Sequence, residues 1–455
     1  MKYCSTRGGV KGLSFTDSLL MGLASDGGLL VPESIPDVTS HLSEWRELGF
    51  VELAQQIIAL FVDDIERETL DELVAGAYAT FDHPEVVGWQ PLGDITLLEL
   101  FHGPTLAFKD VALQLLGRLF EHVLAQRGQR LNILGATSGD TGSAAIAGVR
   151  GQSNIDIFIL YPNHKVSPLQ ELQMTTVPDP NVHCIAVEGS FDDCQGLMKE
   201  IFADLDFKAE YQLGAVNSVN WARVMAQIVY YGYASLKCAE APSFCVPTGN
   251  FGNVFAAYLA REMGFPIDRL LVATNENDIL ARFFDTGEYA RGDVHFTLSP
   301  AMDIQVASNF ERFLYYCFEC DAERLAAFMT TFQNTGRATT QAHLMADWML
   351  ATRVDNAQTL AAIQQVHAAY DYVLDPHTAV GFAAATRLKD RVRSPIVCVA
   401  TAHPAKFPQA VEQAIAGVTV SHPTLDALAG LPQRKQVIEA QKTAVCAAIR
   451  AEVSG

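Results

Sequence analysis

Arg130-Leu-Asn-Ile-Leu-Gly135 runs directly into Ala136-Thr-Ser-Gly-Asp-Thr-Gly-Ser143, so that an apolar run of strand length opens into a polar, glycine-rich loop. A helical stretch precedes it, with Val111, Leu115, Leu116, Leu119, Phe120, Val123 and Leu124 at helical spacing and Gly128 closing the period. The alternation recurs further along the chain. Ile155-Asp-Ile-Phe-Ile-Leu160, Val182-His-Cys-Ile-Ala-Val187, Phe244-Cys-Val246, Leu270-Leu-Val-Ala-Thr274 and Ile396-Val-Cys-Val-Ala400 all read as buried strands, with amphipathic segments between them. Strands alternating with helices predict an α/β protein, its sheets mostly parallel and covered by helices on both faces.

Before this region, residues 1 to about 90 mix short apolar segments, turns and two acidic helical stretches, Trp45 to Val62 and Ile65 to Ala79, and read as an N-terminal accessory unit. After it, residues near 305 to 370 read as mainly helical, and Tyr372-Val-Leu374 returns to strand pattern.

The 455 residues exceed one typical domain, and 49% hydrophobic against 18% charged residues is a folded, globular composition. A formal charge of −20 argues against nucleic acid and anionic membranes as partners, and any basic site must be local. No apolar run approaches the ~18 residues of a membrane span and the start lacks a signal-peptide core, which predicts a soluble, cytoplasmic protein. Nine cysteines, an odd number scattered from Cys4 to Cys446, fit reduced thiols. The single C-x-x-C, Cys317 and Cys320, has no second pair nearby, so no metal site is expected. The acidic surface keeps a monomer soluble, and monomer and dimer both remain open.

In an open α/β sheet, ligands sit outside the carboxyl ends of strands, so the loops there are where chemistry belongs. Pro247-Thr-Gly-Asn-Phe-Gly-Asn253 follows a strand and opens a helix, a natural cradle for phosphate, although an ordinary strand-to-helix turn has the same form. It fits neither the dinucleotide fingerprint nor the Walker loop. In Ala136 to Ser143 the hydroxyls suit an anion, or serve only as helix caps. Thr401 heads a third loop, Thr401-Ala-His-Pro-Ala-Lys-Phe-Pro408, from the end of a strand. Asn217-Ser-Val-Asn-Trp-Ala-Arg223 offers amide, hydroxyl and guanidinium donors at a helix start, with an exposed arginine as the plainer reading. In Phe101-His-Gly-Pro-Thr-Leu-Ala-Phe-Lys-Asp110 a lysine lies among apolar residues where a helix begins. Desolvation and the helix dipole would both free its amine for imine formation, whereas a solvated Lys–Asp pair is the commoner occurrence.

Taken together, His102 to Asp110, Ala136 to Gly142, Thr248 to Asn253 and Thr401 to Phe407 resemble the threonine synthase family of the longer, enterobacterial and fungal type, in order and spacing as well as composition. Tyr3 to Gly8, Gly22 to Gly28, Ser299 to Arg312 and Asp375 to Val380 match too, so the resemblance spans about Tyr3 to Gln409. It implies a fold type II, tryptophan synthase β-like enzyme dependent on pyridoxal phosphate. It further implies a cofactor-binding unit of residues 91–130 and 240–455 with a helical insertion at about 305–370, and a smaller substrate-side unit of residues 131–239. On the same ground Lys109 is the catalytic residue and carries the cofactor as an imine. Gly249, Asn250, Phe251, Gly252 and Asn253 would hold its phosphate, Thr401 would face its pyridine nitrogen, and Asp140 would lie near its phenolic oxygen. The implied substrate is O-phospho-L-homoserine, with Ser138, Thr141, Asn217, Ser218 and Arg223 as its phosphate ligands and Lys165 as a further candidate. The implied reaction, that of a carbon–oxygen lyase acting on phosphates, yields L-threonine and phosphate. A phospho-lyase on the same scaffold, releasing an oxo acid and ammonia with the phosphate, is the alternative.

Overall fold

The computed structural model describes residues 1–453 except Ser138 and Asn217, and only the backbone of Met345. Among the described residues, six strands form the larger sheet in the order Met349–Arg353, Leu270–Thr274, Ser243–Pro247, Ile396–Ala400, Ile95–Glu99 and Gly88–Leu92. Every neighbouring pair is parallel except the last, an antiparallel hairpin. Five strands, Gln436–Glu439, Val182–Glu188, Ile155–Pro162, Leu131–Ala136 and Leu213–Gly214, make a second and wholly parallel sheet. The central strands of both sheets are almost entirely buried, which is why they read as unbroken apolar runs.

Three segments depart from the expectations. Met349–Arg353 lies inside the region read as helical, yet it pairs with Leu270–Thr274 as an edge strand of the larger sheet. Tyr372–Leu374 is not a strand: the helix Asn356–Tyr370 ends at Asp371 in the left-handed conformation, φ 53°, and Asp375 already caps the next helix, Pro376–Leu388. The residues between those two caps join no strand of either sheet. Gln436–Glu439, within the 240–455 span assigned to the cofactor-binding unit, extends the smaller sheet beside Val182–Glu188, and the helix Lys442–Val453 then packs on Phe191–Ala203.

The N-terminal residues form a short antiparallel pair, Tyr3–Ser5 with Leu30–Pro32, and the helices Phe50–Phe61 and Arg67–Tyr78. These helices rest against Trp221–Lys237 and Lys109–Arg127. Wholly buried Arg312 ties the layers together by donating to the carbonyls of Leu30 at 2.8 Å and Val219 at 2.5 Å.

Helices Lys109–Arg127 and Asp140–Val149 cross where Gly117 of one faces Gly148 of the other; a Cβ on either would strike the partner's backbone. Each glycine stands eight residues after the first residue of its helix. The close approach therefore brings the two helix starts, Lys109 and Asp140, to one place.

Candidate active site

Three adjacent parallel strands of the larger sheet, Ser243–Pro247, Ile396–Ala400 and Ile95–Glu99, send the phosphate-type loop, the Thr401 loop and the Lys109 segment out of their carboxyl ends. The last two are laced together: the Phe108 amide donates to the Thr401 carbonyl at 2.8 Å and the His403 amide to that of Leu106 at 3.1 Å. Leu106 takes a left-handed φ of 60°, strain of the sort that a bulky residue bears only where its surroundings impose it. The smaller sheet contributes Asp140 from the loop after Leu131–Ala136, and the Lys109 Nζ lies 3.7 Å from its Oδ2.

Asp140 has other claimants. The Lys406 Nζ, wholly buried, lies 3.0 Å from Oδ1, and the Gln170 amide donates to the same oxygen at 3.0 Å. Burial pushes the Asp140 carboxyl up, but Lys406, Lys109 and His377 together with the Gln170 bond hold it well below the usual carboxylate range. Burial draws the Lys109 amine below an ordinary lysine; Asp140 opposes this, and Lys406 and Arg223 add to it. Asp110, the next residue, accepts from the Thr105 amide at 2.8 Å and hydroxyl at 2.7 Å, yet burial still pushes it up to about 6.

The loop Pro247–Asn253 is shaped by packing. A Cβ on Gly249 would come 2.6 Å from the Ala301 carbonyl oxygen. Phe251 turns through φ 65° and sinks its ring among Phe284, Phe310 and Phe313, so only its backbone faces the site. Asn253 Oδ1 accepts from Tyr230 at 2.5 Å and Tyr231 at 2.6 Å, while its Nδ2 has no partner among the described residues. The Asn250 carbonyl is held by the Asn309 amide at 3.0 Å. Ser308 donates to Asn250 Oδ1 at 3.2 Å and meets the Ser218 hydroxyl at 2.8 Å, which places Ser218 beside this loop. The helix Gly252–Glu262 begins here with its first N–H groups free of intrahelical acceptors.

Arg223 is buried, with Nε and Nη1 unpartnered among the described residues, and burial lowers its guanidinium to about 10. A desolvated guanidinium without a carboxylate is costly unless an anion completes it. Thr141, half-buried, stands in the first turn beside Asp140. Lys165 is exposed in the turn after Ile155–Pro162, with Asp193 as an electrostatic neighbour. Ser138 and Asn217 lie outside the described residues.

Lys406, Gln170 and the Asp375–His377–Thr378 group escaped the sequence reading as site residues. His377 Nδ1 meets Asp375 Oδ1 at 3.0 Å, its Nε2 accepts from the Ala301 amide at 3.2 Å, and the Thr378 hydroxyl receives the Thr401 amide at 3.1 Å. Two signals were present: a lysine inside the quoted Thr401 segment and an aspartate before proline at a helix start. No group of His, Cys, Asp and Glu able to hold a metal occurs among the described residues.

The donor set fits pyridoxal phosphate: a buried amine, an Asn253 Nδ2 unpartnered among the described residues, and the free N–H groups of a helix start in a loop that Gly249 lets pack against the Ala301 backbone. Family patterns agree. "Threonine synthase N terminus" matches residues 2–78, "Pyridoxal-phosphate dependent enzyme" residues 91–402 and "Threonine synthase, C-terminal" residues 378–449. A threonine synthase of Pseudomonas aeruginosa is 48% identical over 426 residues, 91% of this chain and 90% of that one. One of Schizosaccharomyces pombe is 44% identical over 459 residues, covering 91% and 89%. The pyridoxal-phosphate-bound threonine synthase structure from Brucella melitensis superposes with TM-score 0.96 at 44% identity, covering 100% of both chains.

Proposed function

The chain belongs to the threonine synthase family of fold type II pyridoxal-phosphate enzymes, and from that premise we propose that it converts O-phospho-L-homoserine and water to L-threonine and phosphate in threonine biosynthesis. The observation that carries the reading is the buried Lys109 amine, 3.7 Å from Asp140, with Arg223, whose Nε and Nη1 are unpartnered among the described residues, close enough to lower its proton affinity.

Bound at this site, pyridoxal phosphate supplies an electron sink that acidifies protons on the substrate's carbons. The chain does the rest. Lys109, depressed in basicity by burial, takes the proton from the substrate's α carbon and then from its β carbon; phosphate leaves the γ carbon, the two protons are returned to the γ and α carbons, and water gives its hydroxyl to the β carbon and its other proton to the departing phosphate. Gly249 to Asn253 would hold the cofactor phosphate, Thr401 would serve its ring nitrogen and Asp140 its phenolic oxygen. A hydroxyl at Thr401 leaves that nitrogen without the proton that a carboxylate would hold there, which suits elimination and replacement. Arg223 and Ser218, with Thr141, receive the substrate phosphate, and Ser138, Asn217 and Lys165 are further ligands for it. This gathering of donors gives a chain of charge −20 a local hold on an anion. No helix among the described residues is long and apolar enough to cross a membrane, and the free thiols suit the cytoplasm.

The test is product analysis. Purified protein and its Lys109→Ala variant are incubated with pyridoxal phosphate and O-phospho-L-homoserine, and threonine, phosphate and 2-oxobutyrate are quantified. Equal threonine and phosphate, absent in the variant, is the expected result. Phosphate accompanied by 2-oxobutyrate would replace synthase with phospho-lyase, and no phosphate release would remove the substrate assignment.

A further inference from the structure

Lys406 is a lysine with no access to water, on a short 3-10 turn, Pro404–Lys406, capped by His403, whose ring nitrogen accepts from the Ala405 amide at 3.2 Å. Its ammonium has two partners. One is Asp140 Oδ1 at 3.0 Å, the other the Thr105 carbonyl at 2.6 Å. Thr105 in turn grips Asp110 through amide and hydroxyl, so Lys406 holds elements on both sides of Lys109: the carboxylate that faces its amine and the turn that precedes it. The two lysines do not share Asp140 evenly. Lys406 is within hydrogen-bond distance, whereas Lys109 at 3.7 Å is not.

We propose that Lys406 is a positioning residue for the reactive amine: it keeps Asp140 ionised and turned toward its own ammonium, and as a fixed cation it leaves the Lys109 amine available as the free base. This rests on the proposed function only in taking Lys109 as the reacting amine.

The charge inventory supports it. Around Lys109 stand Asp140 from one helix, Arg223 from another, Asp110 on its own helix and Lys406, and His377 acts on Asp140 from a fourth element. Asp140 is the one buried anion in that set held well below the usual range, since Asp110 is pushed up to about 6. A single carboxylate between two buried ammonium groups compensates one of them, and the geometry assigns it to Lys406. Lys109 is then the group that sheds its proton. Without the charge on Lys406, Asp140 would turn to Lys109 and hold it protonated, which is unhelpful for imine formation and for taking a proton from carbon.

The experiment uses the full-length protein freed of cofactor, in wild-type, Lys406→Gln and Lys406→Arg forms, each checked for a native urea transition. Acetic anhydride is pulsed at several pH values, and Lys109 acetylation is read by mass spectrometry. Glutamine keeps a hydrogen-bonding group and removes the charge; arginine keeps the charge. The expected result is that Lys406→Gln slows acetylation of Lys109 near pH 8 by about tenfold for each unit by which its pKa rises, while Lys406→Arg stays near wild type. Wild-type labelling in the glutamine variant, or an equal fall in both variants, overturns the proposal, because the charge would then not matter. Substrate is absent from the labelling, so the expected labelling alongside a wild type that forms no threonine from O-phospho-L-homoserine sinks the functional reading alone.

Discussion

The two anion-type loops have similar sequences, polar and glycine-rich after a buried strand, but they are held in place by different forces. Ala136–Ser143 is held by charge: Asp140 is buried between Lys406 and Lys109 and bonded by Gln170. Pro247–Asn253 is held by shape: Gly249 against the Ala301 carbonyl, Phe251 in an aromatic cluster and Asn253 pinned by two tyrosines, with no ionic side chain in the loop. A loop positioned by charge can respond to a change of proton or substrate. One positioned by packing presents the same cradle whatever the charge state, which suits a permanent cofactor phosphate.

The largest effect should follow from breaking the first loop. Asp140→Asn leaves Lys406 and Lys109 without their carboxylate, and removal of one partner from a buried pair costs about 3–5 kcal/mol. Urea unfolding at pH 7 measures this, and a loss within 1 kcal/mol, on the order of a surface pair, would end the claim that charge holds the loop. The pH dependence has a definite sign. Because the folded-state carboxyl is held low, its contribution is complete above about pH 4, the ordinary carboxylate value, and disappears as pH falls through its lowered folded value. Stability of the wild type should therefore fall toward the variant's as the solution is made strongly acid, and parallel curves below pH 4 would contradict it.

Next in size is Gly249→Ala in the second loop. Its Cβ would sit 2.6 Å from a backbone oxygen that cannot swing aside as a side chain could, and overpacking of this sort costs about 1–3 kcal/mol. The damage should appear in pyridoxal-phosphate affinity, measured by fluorescence titration, with the acid limb of the stability curve unchanged. A shifted acid limb would mean that the loops are not separable.

This difference also explains what could be read in the sequence. Strands buried on both faces, such as Ile155–Pro162 and Ile396–Ala400, carry their environment in their composition. The edge strands Met349–Arg353 and Gln436–Glu439 do not: the first ends in Thr352 and Arg353, and the second is exposed except at Ile438. Tyr372–Leu374 is apolar because it is covered, although it is no strand. The glycine loops were legible because local backbone geometry demands those residues, and Lys109 because the segment around it carries the family resemblance, a lysine beside an aspartate being by itself an ordinary surface pair. Lys406 was not, since its role arises from meeting Thr105, 301 residues away in the chain, and Asp140 on the other sheet.

The smallest effect belongs to Tyr230→Phe, and it measures how redundant the packed loop is. Asn253 Oδ1 accepts two phenol hydroxyls, from Tyr230 at 2.5 Å and Tyr231 at 2.6 Å. Removing one leaves the amide oxygen satisfied, while the ring stays buried against Tyr231. The loss should be that of one neutral hydrogen bond, about 1 kcal/mol, and the orientation of the Asn253 amide, its Nδ2 unpartnered among the described residues, should survive. Cofactor affinity should thus change less than twofold or so, while Tyr230→Phe combined with Tyr231→Phe should lose much more than the sum of the single changes, because only then is the buried oxygen stranded. Additive losses in that cycle would show that the tyrosines act independently, and that Asn253 is positioned by its helix and not by them.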